Sequence, residues 1–372
     1  MKSYYQYNVR DSMNFELKIL QRVLTLVTGK PLKNQKQLQK STVIEISLTL
    51  IFLCISTIVP ALYFESLSAQ TSLFALLPCW IVATGSLRKI SVTYAHHSVH
   101  NCLLTTNTTI NRILLFLFTV IPVVQNGKDY TFDHLGHHDN NHFTTDRDSD
   151  ANFLIKLGFH SGMSVEYYKS QLLHTIFSPK FHVDFLYSRI KSCLFRDNLF
   201  ESLFSSIWLV CIFIFTWKYP IGSVIFVVFP MTFLYQISAL LQFLSEHAWL
   251  KTKEAPRDNE EYATRCWGRF TGETYPENEG AYQKLFWWVK MFFYHMPTRI
   301  AVICGDLPVH DWHHLAGKYR QSPTRWQESI YLREVVAQQG NNSISSNEVW
   351  GLHNMIMHSF YNLSQGEKNV YK

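Results

Sequence analysis

TVIEISLTLIFLCISTIVPALYF, residues 42–64, decides what kind of fold this chain has. It carries one charge, Glu45, near its start. It is long enough to cross a hydrocarbon core of about 30 Å. Three further runs follow. TSLFALLPCWIVATGSL at 71–87 comes after a short link and ends at Arg88 and Lys89. LFSSIWLVCIFIFTW at 203–217 is joined through Lys218, Tyr219 and Pro220 to IGSVIFVVFPMTFLYQISALLQFL at 221–244. The expectation is an all-α integral membrane protein, with four transmembrane helices in two hairpins.

Basic residues set the expected orientation. Lys30, Lys33, Lys36 and Lys40 precede the first run, and Arg88 and Lys89 follow the second. Lys191 and Arg196 precede the third, and Lys251 and Lys253 follow the fourth. By the positive-inside rule that side is cytoplasmic, and both termini lie there. Two shorter runs do not count as spans. ILLFLFTVIPVV at 113–124 is too short to cross and suits a re-entrant or interfacial segment. KLFWWVKMFFYHM at 284–296 is interrupted by Lys290 and reads as an aromatic helix lying at the membrane interface.

Composition agrees with a membrane chain carrying a polar cap. Charged residues are 17%, below the usual quarter, while the hydrophobic share of 47% is gathered into the runs above. The net charge of +6 is modest and dispersed apart from residues 30–40, which argues against a nucleic-acid surface. Seven cysteines with no C-x-x-C pairing exclude a disulfide scaffold, a zinc ribbon and an iron–sulfur module. The N-terminus lacks the apolar core of a cleaved signal peptide.

The histidines fall into clusters outside the spans. HHSVH at 96–100 places His96 and His100 four apart, on one face of a helix continuing out of the membrane. HLGHH at 134–138 and HDWHH at 310–314 repeat one His-x-x-His-His spacing. SEHAW adds His247 just beyond the fourth run. With the four-span topology every cluster faces the cytoplasm. Two, three, one and three make nine imidazoles, too many for one four- to six-coordinate ion and suited to two. Without companion cysteines the site takes nitrogen-loving metals. Zinc competes on ligand chemistry. Redox iron with positions open for oxygen is the preferred reading beside a bilayer.

These residues resemble the membrane-bound fatty-acid desaturase and hydroxylase superfamily, with its three histidine boxes. His96 and His100 match the first box, His134, His137 and His138 the second, and His310, His313 and His314 the third. His247 is similar to the extra ligand between the fourth span and the third box, and DRDSD (146–150) resembles an Asp-rich stretch found after the second. The resemblance covers residues 42–320, flanked by a cytoplasmic N-terminal segment (1–41) and C-terminal segment (321–372) of a single domain. It implies a non-haem diiron centre held by those nine histidines, O2 as co-substrate, and a lipid or acyl substrate entering from the bilayer. It also implies a separate electron donor, a ferredoxin or a cytochrome b-type protein with its reductase. His97 is an alternative ligand in the first box. His142, Asp133, Asp139, Glu246, Asp306 and Asp311 are candidate neighbours that orient the ligands. The leading expectation is an acyl desaturase. A hydroxylase, monooxygenase or ketolase of the same superfamily is the alternative, and a histidine-rich metal transporter a distant one, because the spans 46–64, 203–217 and 221–244 hold no histidine.

Overall fold

The computed structural model describes residues 4–37, 41–66, 74–139, 141–315, 325–339 and 347–367. Lys40, the start of the second apolar run at 71–73, and residues 316–320 at the end of the expected core lie outside them. The chain is helical almost throughout. α1 (Lys18–Thr28) is followed by α2 (Thr42–Ser66) and α3 (Leu76–Lys89). α3 continues through a wider π-helical segment, Ile90–Ala95, into a last turn at His96–Val99. α4 (Thr108–Val120), α5 (Gly127–His137), α6 (Ser149–Lys156), α7 (Val165–Phe177) and α8 (Pro179–Leu194) form part of the cap. α9 (Leu199–Lys218) and α10 (Pro220–Glu246) make the next hairpin. α11 (Asn259–Thr264), α12 (Ala281–Lys290, extended by a π turn to Ala301), α13 (His310–Leu315), α14 (Arg325–Gln338) and α15 (Leu352–Gln365) complete the order.

Among the described residues α2, α9 and α10 are long and apolar enough to cross a membrane. α3 alone, at 14 residues, is too short to count. It nevertheless packs against α2 and α10, and its π-helical continuation keeps touching α2. Trp80 donates to the Ile225 carbonyl of α10 at 2.9 Å at one end, and Tyr94 meets Thr49 of α2 at 2.7 Å at the other. Where α2 crosses α10, a Cβ on Gly222 would collide with the Ala61 carbonyl. Only glycine permits that approach, as small residues do wherever apolar helices cross closely.

The cap is packed around indole rings at the end where α3 and α10 terminate. Trp249 and Trp267 are fully buried in one cluster, and Trp312 and Trp350 in a second. A short parallel strand pair, β1 (Gly268–Phe270) with β2 (Glu348–Trp350), ties the segment before α12 to the one after α14. The apolar pattern held no signal for these three-residue strands. α1 closes on the third histidine box: Gly29 terminates it with φ +76°, and a Cβ there would strike Pro308. α12 shows Tyr282, Leu285, Phe286, Val289 and Phe293 as an exposed stripe at helical spacing, the form of an interfacial helix.

A candidate metal centre of nine imidazoles

Each box occupies a different kind of local structure. The first sits on the end of α3, where the π-helical segment widens the helix immediately before His96; such segments recur at functional sites. The second closes α5, which starts cleanly because the Asn126 side chain accepts from the backbone N–H groups of Lys128 and Asp129. The third opens α13 after a 3₁₀ turn at Leu307–Val309. His247 follows the last residue of α10 in extended conformation.

The structure brings all nine expected histidines together in two groups. His96, His100, His134 and His313 form one, and His137, His247, His310 and His314 the other. His138 stands against the first, its Nε2 3.1 Å from His134 Nε2 and 3.0 Å from His313 Nε2. His100 Nε2 lies 2.9 Å from His134 Nε2, and His96 Nε2 lies 2.9 Å from His313 Nε2. His134, His138 and His313 therefore each meet two neighbours through a single nitrogen. That nitrogen carries either one hydrogen or one lone pair, so hydrogen bonding satisfies at most one contact. Lone pairs converging on a shared cation remove the conflict. Two imidazole nitrogens about 2.1 Å from one ion and at right angles stand about 3.0 Å apart, the spacing found here.

In the second group His314 Nε2 is 2.9 Å from His310 Nε2. His247 is fully buried, and neither of its ring nitrogens has a hydrogen-bond partner among the described residues. An orphaned buried imidazole is costly unless something accepts its lone pair. The donor set thus fits two nitrogen-loving metal ions.

Several ligand rings are oriented from behind. His137 Nδ1 donates to Asp148 at 2.8 Å, which leaves Nε2 for the second group. Asp148 also accepts from the backbone N–H groups of Thr144 and Asp150, so its oxygens are fully engaged in holding this ring. The Tyr262 hydroxyl holds His314 Nδ1 at 2.7 Å and stacks on Phe143. Glu246 differs: its Oε1 lies 2.9 Å from His310 Nε2, the nitrogen that also faces His314, and 3.3 Å from the buried guanidinium of Arg269, so this carboxylate sits at the second group itself. Asp311 touches no imidazole; it is clamped by Arg333 at 2.7 Å.

Other expected neighbours lie elsewhere. His97 turns away to Asp306 at 2.8 Å and stacks on Trp326, so His96 and not His97 joins the first group. Asp133 pairs with Gln125. Asp139 and His142 meet each other at 3.9 Å on the surface. Asp148 was legible only as part of an acidic run; Tyr262, Arg269 and Arg333 carried no signal. Asp148→Asn is expected to weaken metal retention by about 10- to 100-fold, the usual cost of losing a carboxylate behind a ligating imidazole. Iron per chain after dialysis against a chelator measures it; unchanged retention would remove Asp148 from this role.

Burial is the main cause holding His96, His134, His247, His313 and His314 well below the ordinary imidazole pKa. They stay neutral, as ligands must. Burial also opposes charge on His97 and His137, but Asp306 and Asp148 outweigh it and raise them to about 10 and about 9, so a metal held by His137 Nε2 has to displace a proton. The stability those two confer is complete below about 6.5 and fades as pH rises through 9 to 10. The larger depressed set has the opposite sign. As pH falls through about 6.5 the unfolded chain takes up protons that the folded cluster refuses, so stability and metal occupancy both fall. Melting temperature and bound iron measured from pH 7.5 down to 5 should decline together; a flat profile would contradict the neutral cluster.

Helices long and apolar enough to cross a membrane, capped by converging imidazoles, define the class: a membrane protein with a polyhistidine site. Residues 71–298 match the family model for fatty acid desaturase, more than half of the chain, and the chain belongs to that family. No curated protein and no solved structure matches it. The family match ends before the third box at 310–314, so those three imidazoles are joined to the site by the tertiary structure. Membership carries with it an oxidoreductase acting on lipid with a redox partner.

Proposed function

We propose that this protein is an O2-dependent fatty-acyl desaturase with a non-haem diiron centre. The observation that carries the reading is the convergence of nine imidazoles, seven of them buried, from three boxes and His247 into two groups. His96, His100, His134, His138 and His313 would hold one iron, and His137, His247, His310 and His314 the other. When bound, the iron pair supplies activation of O2 and removal of hydrogen from an unactivated C–H bond. The chain supplies what surrounds that chemistry. Asp148 and Tyr262 keep the Nδ1 atoms of His137 and His314 occupied, so that Nε2 faces inward. Trp249 and Phe143 pack apolar surface against His137, His247 and His314 and exclude water.

The topology belongs to the same proposal. α2, α9 and α10 form three of four spans, and the second is the apolar run at 71–87, which ends within α3 at Arg88 and Lys89, ahead of the first box. The termini and the histidine boxes lie on the cytoplasmic side. Electrons arrive from a separate ferredoxin or cytochrome b-type donor with its reductase, and the acyl substrate enters from the bilayer.

Two measurements test it. Purified protein should contain two irons per chain without haem absorbance. Cells fed a labelled saturated acyl chain should yield an alkene; an oxygenated product without any alkene would replace desaturation by hydroxylation. Zinc alone, with no oxygen-dependent product, would overturn the reading.

A further inference from the structure

A groove of about 780 Å³ runs between α1, the first half of α2, the end of α3 and the start of α14. Its two halves differ in chemistry. One is apolar: Ile44, Leu48 and Phe52 of α2 face outward there, with Val82 and Ile300 opposite. The other holds Arg22, Lys89 and Arg299 with Glu45 and Asp306. Both acids are already answered. Glu45 takes Lys89 and the Gln327 amide at 2.7 Å, and Asp306 takes His97 at 2.8 Å. Arg299 donates to the Ile303 and Gly305 carbonyls and shares the field of Asp306 and Glu45, so in this half three cations face two acids. Arg22 is exposed and has no carboxylate partner among the described residues. The polar half therefore carries surplus positive charge where the apolar half of a membrane-length helix begins. That gradient matches one molecule turned as it lies in a bilayer, with an anionic head and an alkyl tail.

We propose that this groove binds a membrane phospholipid, its phosphate beside Arg22 and Lys89 and an acyl chain along Leu48, Phe52 and Val82. The bilayer is the source because the apolar half opens on the outward face of α2, and a lipid reaches it by sliding sideways. The groove adjoins the histidine site. Trp326 on its wall stacks on His97 with ring centroids 5.3 Å apart, and His97 is the chain neighbour of His96. One indole and one imidazole thus lie between a bound lipid and the first group. The inference goes beyond the proposed reaction, because binding is read without turnover and stands whichever C–H bond is oxidised.

The test is native mass spectrometry of the full-length protein released from detergent. The parent, delipidated and then given phosphatidylcholine, should retain a phospholipid adduct. Leu48→Trp fills the apolar half and should remove it, while Leu48→Ala leaves the groove open and should keep it. Arg22→Glu should lower retention by about tenfold, the value of one charge-assisted contact. Arg112→Glu, in the separate cleft beside α5, should leave it unchanged. Iron content measured on each variant verifies that the histidine site is intact. Equal retention in Leu48→Trp and Arg22→Glu with the site intact would overturn the proposal. So would displacement of the phospholipid by palmitoyl-CoA at equal concentration, which would assign the groove to a soluble thioester.

Discussion

His314→Ala should leave no measurable turnover and fewer than two irons per chain. His314 Nε2 is 2.9 Å from His310 Nε2, and its Nδ1 is fixed by Tyr262 at 2.7 Å, so the ring enters the second group in one orientation. Removing it leaves three imidazoles for that position in a pocket with no spare donor of its kind; His142 is on the surface and His97 is committed to Asp306. Loss of one oriented partner behind a ligand already costs about 10- to 100-fold, and loss of the ligand itself should cost more, below about 1% of parent activity. The measurement pairs iron analysis with product formation from a labelled acyl chain. His142→Ala is the control and should behave as the parent. Full turnover in His314→Ala would remove the third box from the site.

Arg333→Ala should unfold the cap at lower denaturant and release metal, although Arg333 touches no histidine. Its Nε reaches both oxygens of Asp311 at 3.0 and 2.9 Å, its Nη2 donates to Asp311 Oδ2 at 2.7 Å, and its Nη1 holds Glu348 at 2.9 Å. Lys30 reaches the same Glu348 at 2.7 Å. The guanidinium is almost completely buried, and burial opposes its charge less than Asp311 and Glu348 favour it, so its pKa is pushed up. Removing it strands the Asp311 carboxylate inside the third box, while Glu348 keeps only Lys30. A buried ion pair broken on one side costs about 3–5 kcal/mol. Arg333→Lys should recover only part of this, because an ammonium cannot form the two-pronged contact. Chemical unfolding in detergent and iron per chain should move together; an unchanged midpoint with normal iron would show that the network does not hold the box.

Residue spacing carried most of the site. Hydrophobic length marked α2, α9 and α10, and the repeated His-x-x-His-His interval with HHSVH and SEHAW marked nine imidazoles. The i,i+4 rule preferred His96 to His97, because a helix puts residues four apart on one face. Nothing in the spacing separates the nine into five and four. The second box divides, with His134 and His138 toward one group and His137 toward the other, and the third divides likewise, with His313 apart from His310 and His314. Adjacent helical residues point about 100° apart, so each His-His pair must serve two places, but which place is set by what the helix packs against.

The orienting residues were decided by tertiary structure alone. Asp148, 11 residues beyond His137, turns back to its Nδ1, and Tyr262 reaches His314 across 52 residues. Acids adjacent to the boxes in sequence mostly point elsewhere: Asp133 to Gln125, Asp139 to the surface, Asp311 to Arg333. Local sequence determines which side chains can share a helix face and which segments prefer a bilayer, since both follow from backbone periodicity and hydrophobic length. Which buried hydrogen-bonding groups meet depends on how α5, α11, α13 and the β1–β2 pair pack. Long-range packing fixes that, and no short stretch of chain encodes it.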